Sequence, residues 1–315
     1  MGEDRLLAWL REQAPELTAG IGDDTAFLPP APEQAVTVDS QIEGVHFRSG
    51  LEPERIARRL LAVNLSDLAA VGAKPAHGFL ALSTPNGFDH QRFFSAFLEG
   101  CAEHRLHLAG GDLARAPLIV ATLTLIGERP EGCRWLRRDN ARAGDVLWLG
   151  GTVGESALGR HLLERGNGLE LPAELQAEAQ QAIERHLAPR PQLELGRRLG
   201  RHERVAAVDL SDGLARDLGH LCQASGCGAV IDAEALPAAP GHEELSRHLG
   251  LDPLELQLGG GEDYVLLFTL PPDEAPPRSE TTTRIGEMTT DTSLRLRHGH
   301  REGLLPDLGW DHLAS

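Results

Sequence analysis

Short runs of alternating or continuous apolar residues take turns along this chain with segments whose apolar residues recur every three or four positions. Alternation over 35–40 predicts a strand. Pro53 suits a first helical position, and Ile56, Leu60, Leu61, Leu65 and Leu68 then share one face, which predicts a helix from 53 to 71 stopped by Gly72. A strand over 76–83 and a helix over 88–103 follow. Residues 117–127, rich in β-branched side chains, read as a strand entered from a turn at Gly110-Gly111-Asp112. Ahead of all these stand an opening helix over 3–13 and a turn over 20–24.

The pattern becomes polar around 137–145, and a new strand begins at 145–149. The domain boundary is therefore expected here, giving an N-terminal half of 1–137 and a C-terminal half of 138–315. The second half reads as helices near 173–186, 192–199 and 213–224 and strands at 205–210, 229–232 and 264–270. Two comparable halves of strands and helices define a mixed α/β (α+β) class.

With 315 residues, 41% of them hydrophobic, the chain can bury two cores. A net charge of -17 speaks against a nucleic-acid partner, whose backbone demands clustered Lys and Arg. No basic-then-apolar leader opens the sequence and no run approaches the roughly 18 apolar residues of a membrane span, so a cytoplasmic protein without a membrane partner is expected. Cys101, Cys133, Cys222 and Cys227 form no CxxC pair and read as inert thiols.

Aspartates beside glycine or a small residue recur at Gly22-Asp23-Asp24, Val38-Asp39-Ser40, Asn64-Leu65-Ser66-Asp67, Gly110-Gly111-Asp112 and Asp209-Leu210-Ser211-Asp212-Gly213, and Gly259-Gly260-Gly261-Glu262-Asp263 adds a glutamate. Singly, each is ordinary turn chemistry. Together they combine backbone that lets a phosphate approach with hard oxygen ligands for Mg²⁺. Asp67 stands apart, because it falls inside a helix one turn after Asn64; either a solvated polar face or a cleft explains it. Converging carboxylates need divalent cations to stay ionised, which suits phosphoryl transfer between two polyanions. Neither GxxxxGK[ST] nor a protein-kinase catalytic loop is present, and Gly150-Gly151-Thr152-Val153-Gly154 lacks GxGxxG spacing and reads as a strand-to-helix turn.

The segments GIGDD at 20–24, IEGVHF at 42–47, AVNLSDLAAVGAKP at 62–75, GGD at 110–112, DLSDGL at 209–214 and GGGEDY at 259–264 resemble the thiamine-monophosphate kinase family, in order and over nearly the whole chain. The resemblance implies a two-domain fold like that of aminoimidazole ribonucleotide synthetase, each half a mixed sheet packed with helices, the first binding ATP and Mg²⁺ and pairing into a homodimer. It further implies ATP as co-substrate, several Mg²⁺ ions and thiamine monophosphate as acceptor. Carried over by residue, Asp24, Thr37, Val38, Asp39, Asp67, Asp112, Asp209 and Asp212 bind metal; Gly111, Asp112, Arg138 and Ser211 hold ATP; His46, Glu262 and Trp310 contact the acceptor. No side chain is expected as a catalytic base. His46 could instead be a structural histidine and Trp310 a packing residue. Leu113-Ala114, Val38 and Val265 depart from the family pattern, the first two where hydroxyl residues are usual. The rival expectations are another ATP-using enzyme of the superfamily such as aminoimidazole ribonucleotide synthetase, a nucleotide-binding maturation factor without turnover, and an ATPase.

Overall fold

A computed structural model describes residues 33–166, 169–277 and 281–310, together with Trp9, Glu12 and Gln13. The turn over 20–24 with Asp24, and most of the helix expected over 3–13, lie outside these residues. The chain divides into two compact units, 1–68 with 73–131, and 69–72 with 132–315.

The first unit holds strand β1 (Gln34–Ile42), helix α1 (Pro53–Ala70) up to Leu68, β2 (Lys74–Thr84), α2 (His90–His104), β3 (His107–Arg115) and β4 (Val120–Glu128). The strands form one sheet in the order β1-β4-β2-β3, antiparallel except for the β2–β3 pair. Period-two alternation separates its faces: Ala121, Leu123 and Leu125 of β4 are buried, while Thr122, Thr124 and Ile126 between them are only half-buried. The helices cover the buried face. A Cβ on Gly127 would meet Leu68 at 3.0 Å, and one on Gly100 of α2 would meet Leu61 of α1 at 2.5 Å. Phe93 and Phe97, both fully buried on α2, stack with centroids 6.0 Å apart.

Gly110-Gly111-Asp112 lies inside β3 instead of forming the expected turn. The glycine answers a different demand, since a Cβ on Gly111 would sit 1.9 Å from the Leu80 carbonyl oxygen of β2. Strand β2 is also irregular at Gly78/Phe79, so the two parallel strands close up where only hydrogen fits.

The second unit adds β5 (Val146–Leu149), α3 (Glu155–Arg165), α4 (Gln176–Leu187), α5 (Leu193–Leu199), β6 (Ala206–Asp209), α6 (Leu214–Ser225), β7 (Gly228–Asp232), α7 (His242–His248), α8 (Pro253–Gly259), β8 (Leu266–Leu270), β9 (Thr283–Thr289), β10 (Leu294–His298) and β11 (Arg301–Leu304). Its sheet runs β11-β10-β7-β9-β5-β8-β6. One core packs β5, β6, β7 and β8 against α6 through Leu149, Val208, Leu218, Leu221, Ile231 and Leu267. Another joins Leu195 and Leu199 of α5 to Phe268 and to Ala69 and Ala70, the last residues of α1. Helices α3 and α4 approach so closely that a Cβ on Gly159 would lie 2.0 Å from the Ala182 carbonyl oxygen. No described helix is long and apolar enough to cross a membrane.

Candidate active site

In the first unit the described site residues, His46 excepted, stand on regular elements. Thr37 and Asp39 share one face of β1, and Val36 and Val38 occupy the other, 66% and 60% exposed. Thr37 Oγ1 donates to Asp67 Oδ2 at 2.5 Å, across from β1 to α1. Asn64, fully buried one turn before Asp67, accepts from the Asp39 amide through Oδ1 (3.1 Å) and donates to the Leu60 carbonyl through Nδ2 (2.8 Å). Residues 60–70 are buried apart from half-buried Asp67, so this is an interior polar seam and not the solvated helix face that was the alternative. Val38 has no side-chain oxygen and turns away from Asp67; its carbonyl is the one ligand atom it offers. Asp112 is exposed on β3, in register with Ala81. His46 follows β1, its Nδ1 accepting from the Ile42 amide at 3.1 Å, which ties the turn that carries it back onto the strand end.

In the second unit loops do the work. Asp209, 4% exposed, ends β6, and the next residues form a platform for two other segments. The Leu210 carbonyl accepts from the Tyr264 amide (2.9 Å), the Ser211 carbonyl from Glu262 (2.8 Å) and the Asp212 carbonyl from Trp310 (2.9 Å). Ser211, Asp212, Glu262 and Trp310, spread over 100 positions of sequence, thus share one scaffold. Glycines allow the approach: Gly261 has φ +69° and a Cβ there would lie 2.9 Å from the Ser211 carbonyl oxygen, while Gly213 has φ +114° with the Gly259 backbone 3.1 Å away. Glu262 (φ 59°) and Tyr264 (φ 49°) are themselves left-handed, a strained state for residues with a Cβ. Arg138 opens a single 3₁₀ turn whose carbonyl accepts from Ser225 of α6 (2.7 Å). Burial depresses the His220 imidazole on α6, and the charges of Arg138 and Arg216 depress it further while that of Asp212 opposes them. Arg216 also lies 3.7 Å from the Asp212 carboxylate.

Sequence reasoning passed over Asp217. It is 2% exposed, and its Oδ2 accepts from the amides of Asp212 (3.0 Å) and Gly213 (3.2 Å), fixing the loop from within α6. Burial, reinforced by the charges of Asp209 and Asp212, pushes its carboxyl up to about 8. With Gly213 at the N-cap and Arg216 at the third helical position, Asp217 stands one residue beyond the place where a capping box puts its carboxylate, so no local pattern announced it. Cys101, Cys133 and Cys222 are buried, and burial pushes the Cys101 and Cys222 thiols up to about 12, in keeping with inert side chains.

The donors suit Mg²⁺: hard carboxylate and hydroxyl oxygens, without imidazole or thiolate among them. Among the described residues no three His, Cys, Asp or Glu side chains form a ready-made cluster.

The families described as AIR synthase related protein, N-terminal domain and C-terminal domain, match residues 22–128 and 142–299. By fold and by these two halves, the chain is an AIR synthase related protein. The thiamine-monophosphate kinase of Salmonella typhimurium is 40% identical over 83% of this chain and 79% of its own length. The crystal structure of thiamine-monophosphate kinase from Stenotrophomonas maltophilia K279a superposes with a TM-score of 0.81 at 36% identity, covering 94% of this chain and 96% of that one. AaThiL complexed with AMPPCP and TMP superposes at 0.80, with 29% identity over 99% of this chain and 97% of that one. The chain belongs to the thiamine-monophosphate kinase family.

Proposed function

We propose that this protein transfers the γ-phosphoryl group of ATP to the phosphate of thiamine monophosphate, giving thiamine diphosphate and ADP. The carrying observation is the loop platform of the second unit, where Ser211, Asp212, Glu262 and Trp310 converge from separate stretches of sequence. Likeness over 99% of the chain to a relative complexed with AMPPCP and TMP supports the same pair of ligands here.

In this reading a phosphate oxygen of the acceptor attacks the γ-phosphorus in line, and the bond to the β-phosphate oxygen breaks as ADP leaves. A phosphate monoester loses its second proton near pH ~6, so the acceptor needs no protein base. Gly111, Asp112, Arg138 and Ser211 hold ATP; the Arg138 guanidinium suits its phosphates. His46, Glu262 and Trp310 hold the acceptor, whose cationic thiazolium ring is matched by a carboxylate and an indole face. Asp24, Thr37, Val38 (through its carbonyl), Asp39, Asp67, Asp112, Asp209 and Asp212 would hold Mg²⁺ ions. When bound, these ions neutralise the charge of the two polyanions and of the transferring group.

A homodimer is part of the proposal. Val38, Thr124 and Phe79 form one row across the outer face of the first unit's sheet, with Val36 and Ile126 beside it. Val36 and Val38 are exposed there, and an apolar stripe of that kind suits a second copy of the chain.

Mass analysis of the products after incubation with ATP, Mg²⁺ and thiamine monophosphate tests the proposal. Thiamine diphosphate with equimolar ADP supports it. Inorganic phosphate without phosphorylated acceptor would reduce the protein to an ATPase, and no ADP at all would leave a nucleotide binder.

A further inference from the structure

Behind Glu262 lies a buried polar assembly with no assigned role. His186, near the C-terminus of α4, is 8% exposed, and its Nδ1 stands 3.2 Å from Ser156 Oγ and 3.4 Å from Glu262 Oε2. Ser156 is fully buried in the first turn of α3, and its amide donates to Asp263 Oδ1 at 3.2 Å, while the Gly154 amide donates to Oδ2 at 2.8 Å. Arg185, next to His186, donates to the Asp263 carbonyl at 2.7 Å. The side chains of residues 262 and 263 and the peptide that follows them are thus gripped by α3 and α4, and the Glu262 amide is held by Ser211.

Position 262 has φ 59°, where glycine would be the unstrained choice and where three glycines in fact lead up to it. A carboxylate kept there against backbone strain is a carboxylate whose direction is in use. Its side chain is 26% exposed, so without a partner it would sample many rotamers. A proton on His186 Nδ1 reaches both the Ser156 hydroxyl and the acceptor-only Glu262 carboxylate.

We infer that His186, backed by Ser156, is a positioning residue that aims the Glu262 carboxylate at the cationic acceptor and so sets selectivity for it. The inference rests on the proposal that Glu262 contacts the acceptor. His186 touches no substrate itself; it acts through one side chain, and its effect is confined to what that side chain does.

Steady-state kinetics on the full-length protein, varying thiamine monophosphate and ATP in turn, decides the matter. His186→Ala should raise the KM for thiamine monophosphate about tenfold, as expected when a hydrogen bond to a charged group is lost, and leave the KM for ATP unchanged. His186→Asn, whose amide nitrogen can stand where Nδ1 stands, should restore most of the loss. Glu262→Gln should raise the same KM, and adding His186→Ala to it should do nothing more. Fully additive effects, or equal KM rises for both substrates, would reduce His186 to a packing residue and overturn the inference. If Glu262→Gln raises KM and His186→Ala does not, the positioning role falls while the Glu262 contact stands. If Glu262→Gln itself is silent, the contact and the positioning role fall together. Should His186→Ala fail to fold, His186→Phe fills the space without a donor and carries the same expectations.

Discussion

The two units hold their carboxylates by opposite means. In the first, Asp39 and Asp67 stand on a strand and a helix, joined by Thr37 and Asn64 side chains while the backbone stays regular. In the second, Asp209 ends a strand, and Asp212 and Glu262 stand on loops that require left-handed backbone at Gly213, Gly261 and Glu262 itself. A side chain on a regular element can be exchanged for an isostere with local effect, whereas a loop residue shares its conformation with everything bonded to it. Substitutions in the first unit should therefore alter chemistry and spare stability, and those in the second should alter both.

Asp67→Asn probes the first half of that contrast and should give the largest effect. Loss of one anionic ligand should lower kcat/KM about 10²- to 10³-fold, with the melting temperature close to wild type; a folded Asp67→Asn protein with full activity would remove Asp67 from the metal set. Asp263 probes the loop half. Burial pushes its carboxyl up from 3.8 to about 6. The folded state therefore holds a proton that the unfolded state has released between those values, and this group's contribution to stability falls as pH rises from about 4 to about 6. The conversion is on the order of 3 kcal/mol. Urea unfolding of wild type and Asp263→Asn at pH 4, 5, 6 and 7 should show their difference shifting in the variant's favour by an amount of that order and then levelling.

Gly213→Ala should destabilise by about 2 kcal/mol, because φ +114° is closed to alanine and the Gly259 backbone is 3.1 Å away. Thermal unfolding reads the loss, and activity should fall with it. Trp310 is 53% exposed, with its amide on Asp212. Trp310→Ala should raise the KM for thiamine monophosphate on the order of ten- to thirtyfold with the ATP value unchanged and Trp310→Phe largely restoring it; equal changes for both substrates would make it a packing residue. Thr37→Val, which keeps shape and removes the hydroxyl on Asp67, should give the smallest effect, a fall in kcat/KM of about tenfold by steady-state kinetics with the melting temperature close to wild type.

Much of this was legible because local pattern and tertiary role agree. The helix read from Pro53 is observed to Ala70, its apolar stripe of Ile56, Leu60, Leu65 and Leu68 fully buried. Where one signal serves two purposes, the reading failed: paired glycine at 110 and 111 marks a turn in most sequences, but here Gly111 answers Leu80, about 30 positions earlier, and no local window contains that partner. Strands β9 to β11 escaped for a related reason. Charged residues such as Arg284, Arg295 and Arg297 interrupt them, and only Ile285 and Met288 are buried. The platform of Leu210, Ser211 and Asp212 is made of main-chain hydrogen bonds, which no side-chain identity announces, although the sequence did pick out the residues it carries.

The way helix α1 is shared limits how this chain can be taken apart. Residues 69–72 belong with the second unit, where a Cβ on Gly196 would lie 2.0 Å from the Ala69 carbonyl oxygen and the Leu136 amide donates to Val71 at 3.1 Å. A fragment beginning at residue 132 would leave Leu195, Leu199 and Phe268 facing water where Ala69 and Ala70 had covered them. A gene cut at the obvious linker would therefore yield a sticky, poorly expressed half, and swapping whole halves between relatives would require the last turn of that helix to travel with the wrong parent.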